Sequence, residues 1–385
     1  MTPVLHFERS EFDQRRERLV AAMRDRKLDA MLLFAQESMF WLTGYDTFGY
    51  CFFQCLVVTQ DGQMALLTRS ADLRQARLTS TIEDVVVWTD RANARPARDL
   101  RAMLQDLDLL GKRVGVEYDT HGLTAANGQA LDEALRTFAQ LEDASDIVSE
   151  LRVVKSPREI EYVRRAAELC DEAFHAARPQ IGASGSEATI LARMQGAILE
   201  GGGDYPGNEF IIGSGPQALL CRYYTGRRTL DPNDQLTLEW AGAYRHYHVA
   251  AMRTVVIGEP RPDHEEKFEV AKAALLASEA EMRPGRTFGD VFAAHARVMD
   301  DAGLARHRLA ACGYSLGARY APSWMEKQMF FADNPREIEA NMVLFAHMII
   351  MDSETGTAMT LGRTSLTTDS EAEPLSDLPL EMDRA

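Results

Sequence analysis

Glu239 is a carboxylate surrounded by apolar neighbours. It lies in residues 236–241, Leu-Thr-Leu-Glu-Trp-Ala, a pattern that predicts a buried strand. A carboxylate removed from water must be paired or must have a raised pKa, and a raised pKa suits a general base or a nucleophile. From the residues alone, the other explanation is a structural ion pair with Arg253 or Arg245.

His347 is a second titratable side chain in an apolar setting. Residues 343–349, Val-Leu-Phe-Ala-His-Met-Ile, predict another buried strand. A histidine in such a strand is either a hydrogen-bonded core residue or a group that exchanges a proton near neutral pH. The pattern alone favours the core residue, so the chemistry of His347 depends on what the fold brings near it.

The elements that would position these groups fall into two parts, the first of which alternates helices with strands. A helix is predicted after Ser10 and another over 97–107, and Gln60-Asp61-Gly62 predicts a hairpin turn. The segments with strand-like apolar patterns are 30–34, 51–58, 64–68, 85–88 and 113–117. This order predicts an α/β domain of roughly 150 residues.

A helix start separates the two parts. Ser156-Pro157-Arg158-Glu159 is a capping box with proline at the first helical position. We therefore predict an N-terminal domain over 1–154 and a second domain over 155–385. In the second domain a long hairpin is predicted from strands 235–240 and 244–257, turning through Ala241-Gly242-Ala243, with later strands over 342–351 and 360–367.

Composition excludes several functional classes. The chain has 385 residues, a formal net charge of −16 and 46% apolar residues, which indicates a folded protein without the positive charge that nucleic acids require. Its five cysteines include no CxxC pair, which favours reduced thiols over a disulfide framework. Because the N-terminus lacks a hydrophobic signal region and no apolar run approaches ~18–20 residues, we expect a soluble cytoplasmic protein without membrane contact.

Four motifs together resemble the creatinase and aminopeptidase P family, the pita-bread hydrolases. They are FWLTGY at 40–45, LRVVKSPREI at 151–160, MRT at 252–254 and GYSLG at 313–317. The resemblance covers nearly the whole chain. It implies an α/β (α+β) protein, with a creatinase-like N-terminal α/β domain and a C-terminal pita-bread domain built on a curved, mainly antiparallel sheet.

The metal-binding positions of that family are largely vacated here. Metal-dependent members hold two ions with two Asp, one His and two Glu. By resemblance these positions correspond to Glu239, Ala250, Tyr314, His347 and Gly362. Because alanine and glycine offer no side-chain ligand and a neutral tyrosine is a poor one, the resemblance implies a site without metal or other cofactor.

Among members without metal chemistry, creatinase is a poor match. It carries a Glu where this chain has Met252, and its catalytic His corresponds to Arg222. The passages LEWAG at 238–242, YH at 247–248 and MTLGRT at 359–364 most resemble ectoine hydrolases. The resemblance thus implies hydrolytic opening of a cyclic amidine, ectoine, to N-acetyl-2,4-diaminobutyrate, with 5-hydroxyectoine as a further candidate substrate.

This chemistry assigns a candidate role to each polar site residue. Glu239 would act as nucleophile or base at C2 of the ring, and His347 or Tyr314 would protonate the departing nitrogen. Arg222 would bind the substrate carboxylate through its guanidinium fork, unless it is a plain surface arginine. His248 should face the same cavity, because it shares a strand face with position 250.

Aromatic residues are the remaining candidates for substrate contact. Trp240, Tyr50 and Phe52 would line a slot for a small ring, with a plain core role as the alternative for each. Because the N-terminal domain of creatinase-like proteins covers the partner's pocket, the resemblance also implies a homodimer in which Tyr50 and Phe52 act across the interface. The competing functions are an Xaa-Pro-type metallopeptidase and a catalytically silent pita-bread module that binds a partner.

Overall fold

The computed structural model describes residues 3–223 and 226–385, which divide into two compact units, Met1–Arg152 and Val153–Ala385. The first unit is built on a six-stranded mixed sheet in the order β4-β3-β2-β1-β5-β6. Its strands are β1 (Ala30–Leu33), β2 (Cys55–Thr59), β3 (Met64–Arg69), β4 (Asp84–Trp88), β5 (Arg113–Val116) and β6 (Gln140–Asp143). Its helices are α1 (Arg9–Asp25), α2 (Gln36–Thr43), α3 (Leu73–Thr79), α4 (Pro96–Asp106), α5 (Ala125–Leu135) and α6 (Ile147–Val153), the last of which ends at the boundary.

The second unit is built on a nine-stranded, mainly antiparallel sheet with helices packed against it. Seven strands follow the order β11-β10-β12-β13-β9-β8-β7, while β14 pairs with β13 and β15 pairs with β9. The strands are β7 (Ile211–Ser214), β8 (Asp234–Tyr244), β9 (Tyr247–Ile257), β10 (Ala311–Leu316), β11 (Met325–Phe331), β12 (Val343–Asp352), β13 (Thr357–Thr367), β14 (Ala372–Pro374) and β15 (Asp383–Arg384). The helices are α7 (Pro157–Ala177), α8 (Glu187–Glu200), α9 (Pro262–Glu281) and α10 (Phe288–Asp301). This architecture confirms the predicted fold class.

The predicted capping box begins α7. The Ser156 hydroxyl accepts a hydrogen bond from the backbone N–H of Glu159, whose carboxylate accepts one from the backbone N–H of Ser156 at 2.8 Å. The second oxygen of Glu159 accepts a hydrogen bond from the phenol of Tyr247 at 2.6 Å. The cap therefore also ties the start of α7 to the start of β9.

The long hairpin forms, but its predicted turn is wrong. Gly242 lies inside β8 and pairs with Val249, and the chain reverses at Arg245 and His246, both in the left-handed region. A two-residue turn with both φ values positive matches the twist of the flanking strands. Gly242 serves packing instead, because a Cβ there would lie 2.0 Å from the carbonyl oxygen of Ala166 in α7.

Within the described residues, no helix combines the length and apolar character needed to cross a bilayer. The core of the second unit lies between the sheet and the helices α9 and α10. Representative buried members are Phe268, Leu275, Phe288, Leu344, Ala346 and Met348. In β12 these core residues occupy the even positions, so His347 projects from the opposite face of the strand.

Candidate active site

A hydrogen bond between Tyr314 and Glu239 defines the centre of the sheet's inner face. The phenol of Tyr314 in β10 donates to Oε1 of Glu239 in β8 at 3.1 Å. Four strand-to-strand steps separate β10 from β8 in the sheet, which would place them roughly 19 Å apart if the sheet were flat. The sheet must therefore curl around these two residues, so the face that carries them is concave.

Glu239 is buried on this face without a cation in direct contact among the described residues. Burial raises the pKa of Glu239 to about 7, although the hydrogen bond from Tyr314 and the charge of Arg222 oppose the rise. The suggested ion pair with Arg253 does not form. Arg253 lies on the opposite face of β9, where it donates to the carbonyl oxygens of Met252 and Gly362 and faces Asp383 at 3.6 Å.

Tyr314 is itself held by a residue that sequence reasoning missed. The indole N–H of Trp324 donates to the phenol oxygen of Tyr314 at 2.8 Å. Burial, together with the nearby charge of Glu239, raises the pKa of Tyr314 well above its usual value, so the phenol remains a donor at neutral pH. No motif or spacing marked Trp324, because its role follows from the fold that brings residue 324 back to β10.

His347 lies beside this pair with a free ring nitrogen. Its ring centroid is 5.6 Å from that of Tyr314 and 5.5 Å from that of Phe345. Nδ1 of His347 is buried without a hydrogen-bond partner among the described residues. Burial lowers the pKa of His347 to about 4, and the charges of His295 and Arg222 act in the same direction. The imidazole is therefore neutral at neutral pH.

Arg222 is the cation of this group. Its side chain is exposed, and its charge acts to lower the pKa of Glu239, of Tyr314 and of His347. The structure thus brings together four of the predicted site residues: a carboxyl, a phenol, an imidazole and a guanidinium. Such a set can bind a small zwitterion and move protons within it.

Trp240 is a correction to the predicted site. It stacks on Phe174 with ring centroids 5.2 Å apart and an interplanar angle of 11°, and its indole N–H donates to the carbonyl oxygen of Cys170 at 2.8 Å. Both partners lie in α7, on the outer side of the sheet. Because neighbouring side chains alternate along a strand, Trp240 cannot share a cavity with Glu239. Alternation alone would have excluded it.

His248 is a second correction. It is fully buried, and both of its ring nitrogens are engaged by backbone: Nε2 accepts from the N–H of Gly207 at 2.9 Å, and Nδ1 contacts the carbonyl oxygen of Gly317 at 3.3 Å. Burial lowers the pKa of His248 to about 3, so the ring is neutral at pH 7 and both of its nitrogens already have hydrogen-bond partners. It holds two loops in place instead of binding a substrate.

Tyr50 and Phe52 lie in the first unit. Tyr50 is half-buried, whereas Phe52 is 45% exposed, with the guanidinium of Arg69 3.8 Å from its ring centroid. Their predicted contact with a substrate bound to a partner chain stays a prediction.

The residues present do not fit the two-metal centre of metal-dependent relatives. In the described chain, no group of three or more His, Cys, Asp or Glu side chains is arranged to hold an ion. At the vacated position 362, a Cβ would lie 2.8 Å from both Cβ of Met252 and the ring of Phe345. At position 250, the backbone N–H and carbonyl are occupied by the hydroxyl of Thr364.

Comparison with known proteins places these features in a family. The chain is 26% identical to an uncharacterized hydrolase/peptidase, y4tM, of Sinorhizobium fredii, and 26% identical to the ectoine hydrolase of Halomonas elongata; each match covers 98% of both chains. The dipeptidase of Pyrococcus horikoshii superimposes with a TM-score of 0.85 at 20% identity, over 96% of this chain and all of that one. Residues 15–154 match the creatinase/prolidase N-terminal domain, and residues 161–369 match metallopeptidase family M24. The chain is therefore a member of the M24 family, a hydrolase of C–N bonds.

Proposed function

We propose that this M24 hydrolase opens the cyclic amidine ring of ectoine without a metal ion and releases N-acetyl-2,4-diaminobutyrate. The observation that carries the proposal is the buried Glu239–Tyr314 hydrogen bond, which joins two positions that correspond by family resemblance to metal ligands. The full-length similarity to the ectoine hydrolase of Halomonas elongata supports the choice of substrate. 5-Hydroxyectoine is a further candidate substrate.

The site has complementary charge for such a substrate. Ectoine combines a cationic amidinium with a carboxylate. Glu239 would face the amidinium, and binding of that cation would favour the ionised form of a carboxyl whose pKa is raised to about 7 by burial. Arg222 would bind the carboxylate through two parallel N–H donors. A peptide substrate lacks the cationic C2 that this arrangement suits.

The reaction consumes one water molecule. A C–O bond forms at C2, one ring C–N bond breaks, and the departing nitrogen gains a proton. Because the pKa of Glu239 is raised to about 7, this carboxyl can take a proton from water and return it to the nitrogen within one cycle. His347 is neutral at this pH, so it would supply a hydrogen bond through its unpartnered Nδ1 instead of acting as the acid. Tyr314 would keep Glu239 oriented.

Conversion of ectoine by protein that has been treated exhaustively with a chelator tests the proposal. We expect full conversion to acetyl-diaminobutyrate, followed by proton NMR, and no gain when manganese or zinc is added. Glu239→Gln keeps the shape of the side chain and should lower kcat by about a hundredfold or more. Loss of ectoine conversion on chelation, with rescue by manganese, would contradict the metal-free reaction. Manganese-dependent hydrolysis of an Xaa-Pro dipeptide without conversion of ectoine would indicate an Xaa-Pro-type metallopeptidase, and inactivity toward both substrates would favour a binding module.

Mass spectrometry distinguishes the two roles open to Glu239. If the carboxylate attacks C2 itself, quenched enzyme should carry a substrate-sized adduct on the peptide that contains Glu239. If Glu239 activates water, oxygen from labelled water should enter the product in a single turnover without any adduct. Glu239→Gln serves as the control in both measurements.

A further inference from the structure

Trp324 has a place in the site that the proposed function does not use. Its side chain is 1% exposed, and its only hydrogen bond from the ring runs to the phenol oxygen of Tyr314 at 2.8 Å, within the described chain. The phenol in turn donates to Oε1 of Glu239 at 3.1 Å. An indole N–H can only donate, so it orders the direction of every hydrogen bond beyond it.

We propose that Trp324 is a positioning residue whose indole N–H commits the phenol proton of Tyr314 to Glu239. With the indole donating to the phenol oxygen, Tyr314 has one proton to give, and Glu239 is the acceptor in reach. Hydrogen bonds in series polarise one another, so the phenol becomes a stronger donor to the carboxylate. The hydrogen bond from Tyr314 thereby favours the ionised form of Glu239. In the proposed function this form either attacks C2 of the substrate or activates a water molecule.

The backbone around Trp324 is fixed by residues with no other evident role in the chemistry. The side-chain oxygen of Asn208 accepts from the backbone N–H of Trp324 at 3.1 Å. A Cβ on the neighbouring Gly207 would lie 2.8 Å from the backbone nitrogen of Trp324, so glycine permits this approach. The N–H of Gly207 is held in turn by the neutral ring of His248. His248 thus helps to fix the segment of Gly207 and Asn208, against which the backbone of Trp324 lies.

Trp324→Phe tests the inference, because phenylalanine keeps an aromatic ring and removes the N–H. We expect the titration midpoint of the Glu239 carboxyl, followed by carbon-13 NMR in substrate-free protein and identified by its loss in Glu239→Gln, to move upward by ~0.5 unit. Trp41→Phe is the matched control, since Trp41 is also 1% exposed and its indole N–H has no partner among the described residues. An unmoved midpoint in folded Trp324→Phe would overturn the positioning role.

A measurement on the unsubstituted side chain covers the case in which Trp324→Phe does not fold. The chain has four tryptophans, whose indole N–H signals are separable by nitrogen-15 labelling and by single Trp→Phe changes at the other three. The Trp324 signal should shift with pH at the Glu239 midpoint and should stop shifting in Glu239→Gln, while the Trp41 signal stays constant. A pH-independent Trp324 signal would contradict the proposal.

The inference rests on the proposed function for its consequence in catalysis, but these readouts need no substrate. A shifted Glu239 midpoint without any ectoine turnover would leave the positioning role in place and reject the substrate. Ectoine turnover with an unmoved midpoint would support the substrate and reject the positioning role of Trp324. With both in place, the acid limb of kcat/KM in Trp324→Phe should move upward together with the NMR midpoint.

Discussion

At the scale of the single residue, burial of Glu239 has two opposite effects. It strips water from a carboxylate that faces a cationic substrate in the proposed function, which would favour reaction, and it raises the energy of the ionised folded protein. The phenol of Tyr314 and the charge of Arg222 compensate only part of that energy. Both effects can be measured through pH.

The activity should follow the ionisation of Glu239. Because the carboxylate form is required and its pKa is raised to about 7, kcat/KM for ectoine should fall about tenfold for each pH unit below ~7. Tyr314→Phe removes a hydrogen bond that favours the ionised form, so its midpoint should lie at higher pH. A midpoint near the usual value for glutamate would contradict the raised pKa of Glu239.

Folding stability should show the reverse trend. The folded chain holds a proton on Glu239 up to pH about 7, whereas the unfolded chain releases it near 4.5, so the free energy of unfolding falls as pH rises through this window. The loss is about 3 kcal/mol at most. Glu239→Gln has no ionisable group at this position and so avoids this loss of stability. Measured by calorimetry, its Tm should lie several degrees above that of the natural chain at pH 8, and the difference should be much smaller at pH 5. Equal Tm differences at both pH values would contradict the raised pKa.

At the scale of the element, contact between α7 and β8 fixes the strand that carries Glu239. Gly242 lets the backbone of α7 approach, since a Cβ there would lie 2.0 Å from the oxygen of Ala166 and 2.5 Å from the nitrogen of Cys170. Trp240, on the same side of β8, stacks on Phe174 of α7. The outer face of the strand is thus locked while the inner face presents Glu239.

Gly242→Ala should therefore destabilise the second unit by about 2–4 kcal/mol, because neither backbone can yield without moving the helix. Gly196→Ala is the matched control. Gly196 lies in α8, where an added Cβ would meet no atom within 4 Å, so alanine there should stabilise the helix by about 0.5–1 kcal/mol. Thermal unfolding of both variants checks the prediction, and equal stability of the two would refute it.

Elements that are determined by neighbouring residues could be predicted from the sequence, whereas contacts between segments far apart in the sequence could not. The cap at Ser156 and the turn at Gln60-Asp61-Gly62 are set by neighbouring residues, and both form as expected. Gly242 was mistaken for a turn because a glycine needed for close packing has the same sequence signature as one needed for a turn. Arg245 and His246 adopt the actual turn although neither is a typical turn residue.

The same distinction between local patterns and long-range contacts applies to the candidate site. Family motifs brought Glu239, Tyr314 and His347 forward, and the curl of the sheet brings them together. Trp240 was misassigned because strand alternation was not applied to it. His248 was misassigned because its partners, Gly207 and Gly317, are backbone groups from other segments, which leave no side-chain pattern in the sequence. Trp324 was missed because its hydrogen bond to the phenol of Tyr314 depends on how the chain folds back onto β10, which no local pattern shows.

At the scale of the whole molecule, the exposed aromatic residues of the first unit bear on the oligomeric state. The first unit exposes an aromatic segment in which Phe48 is 76% and Phe52 45% exposed. Exposed aromatic residues are common at protein interfaces. We propose, from the family resemblance, that the chain is a homodimer and that Tyr50 and Phe52 approach the substrate of the partner.

Complementation between inactive variants tests this proposal. A chain with Tyr50→Ala and Phe52→Ala is co-expressed with a Glu239→Gln chain under two affinity tags, and the heterodimer is isolated. If each site takes residues from both chains, one site per heterodimer is intact, and about half of the natural activity should return. Inactive heterodimers would mean that each chain builds its own site. Leu110→Ala, at another exposed apolar residue of the first unit, should leave activity unchanged.

Gly362 has a consequence for any attempt to build a metal ligand into this site. A glutamate at this position would first have to displace the side chains of Met252 and Phe345, which already occupy the space of its Cβ. Phe345 also packs edge-on against Tyr314, with ring centroids 5.4 Å apart. Gly362→Glu alone should therefore disturb the packing around Tyr314 before any ion could bind. A metal ligand at position 362 thus requires changes at positions 252 and 345 first, so the order of the substitutions matters as much as their identity.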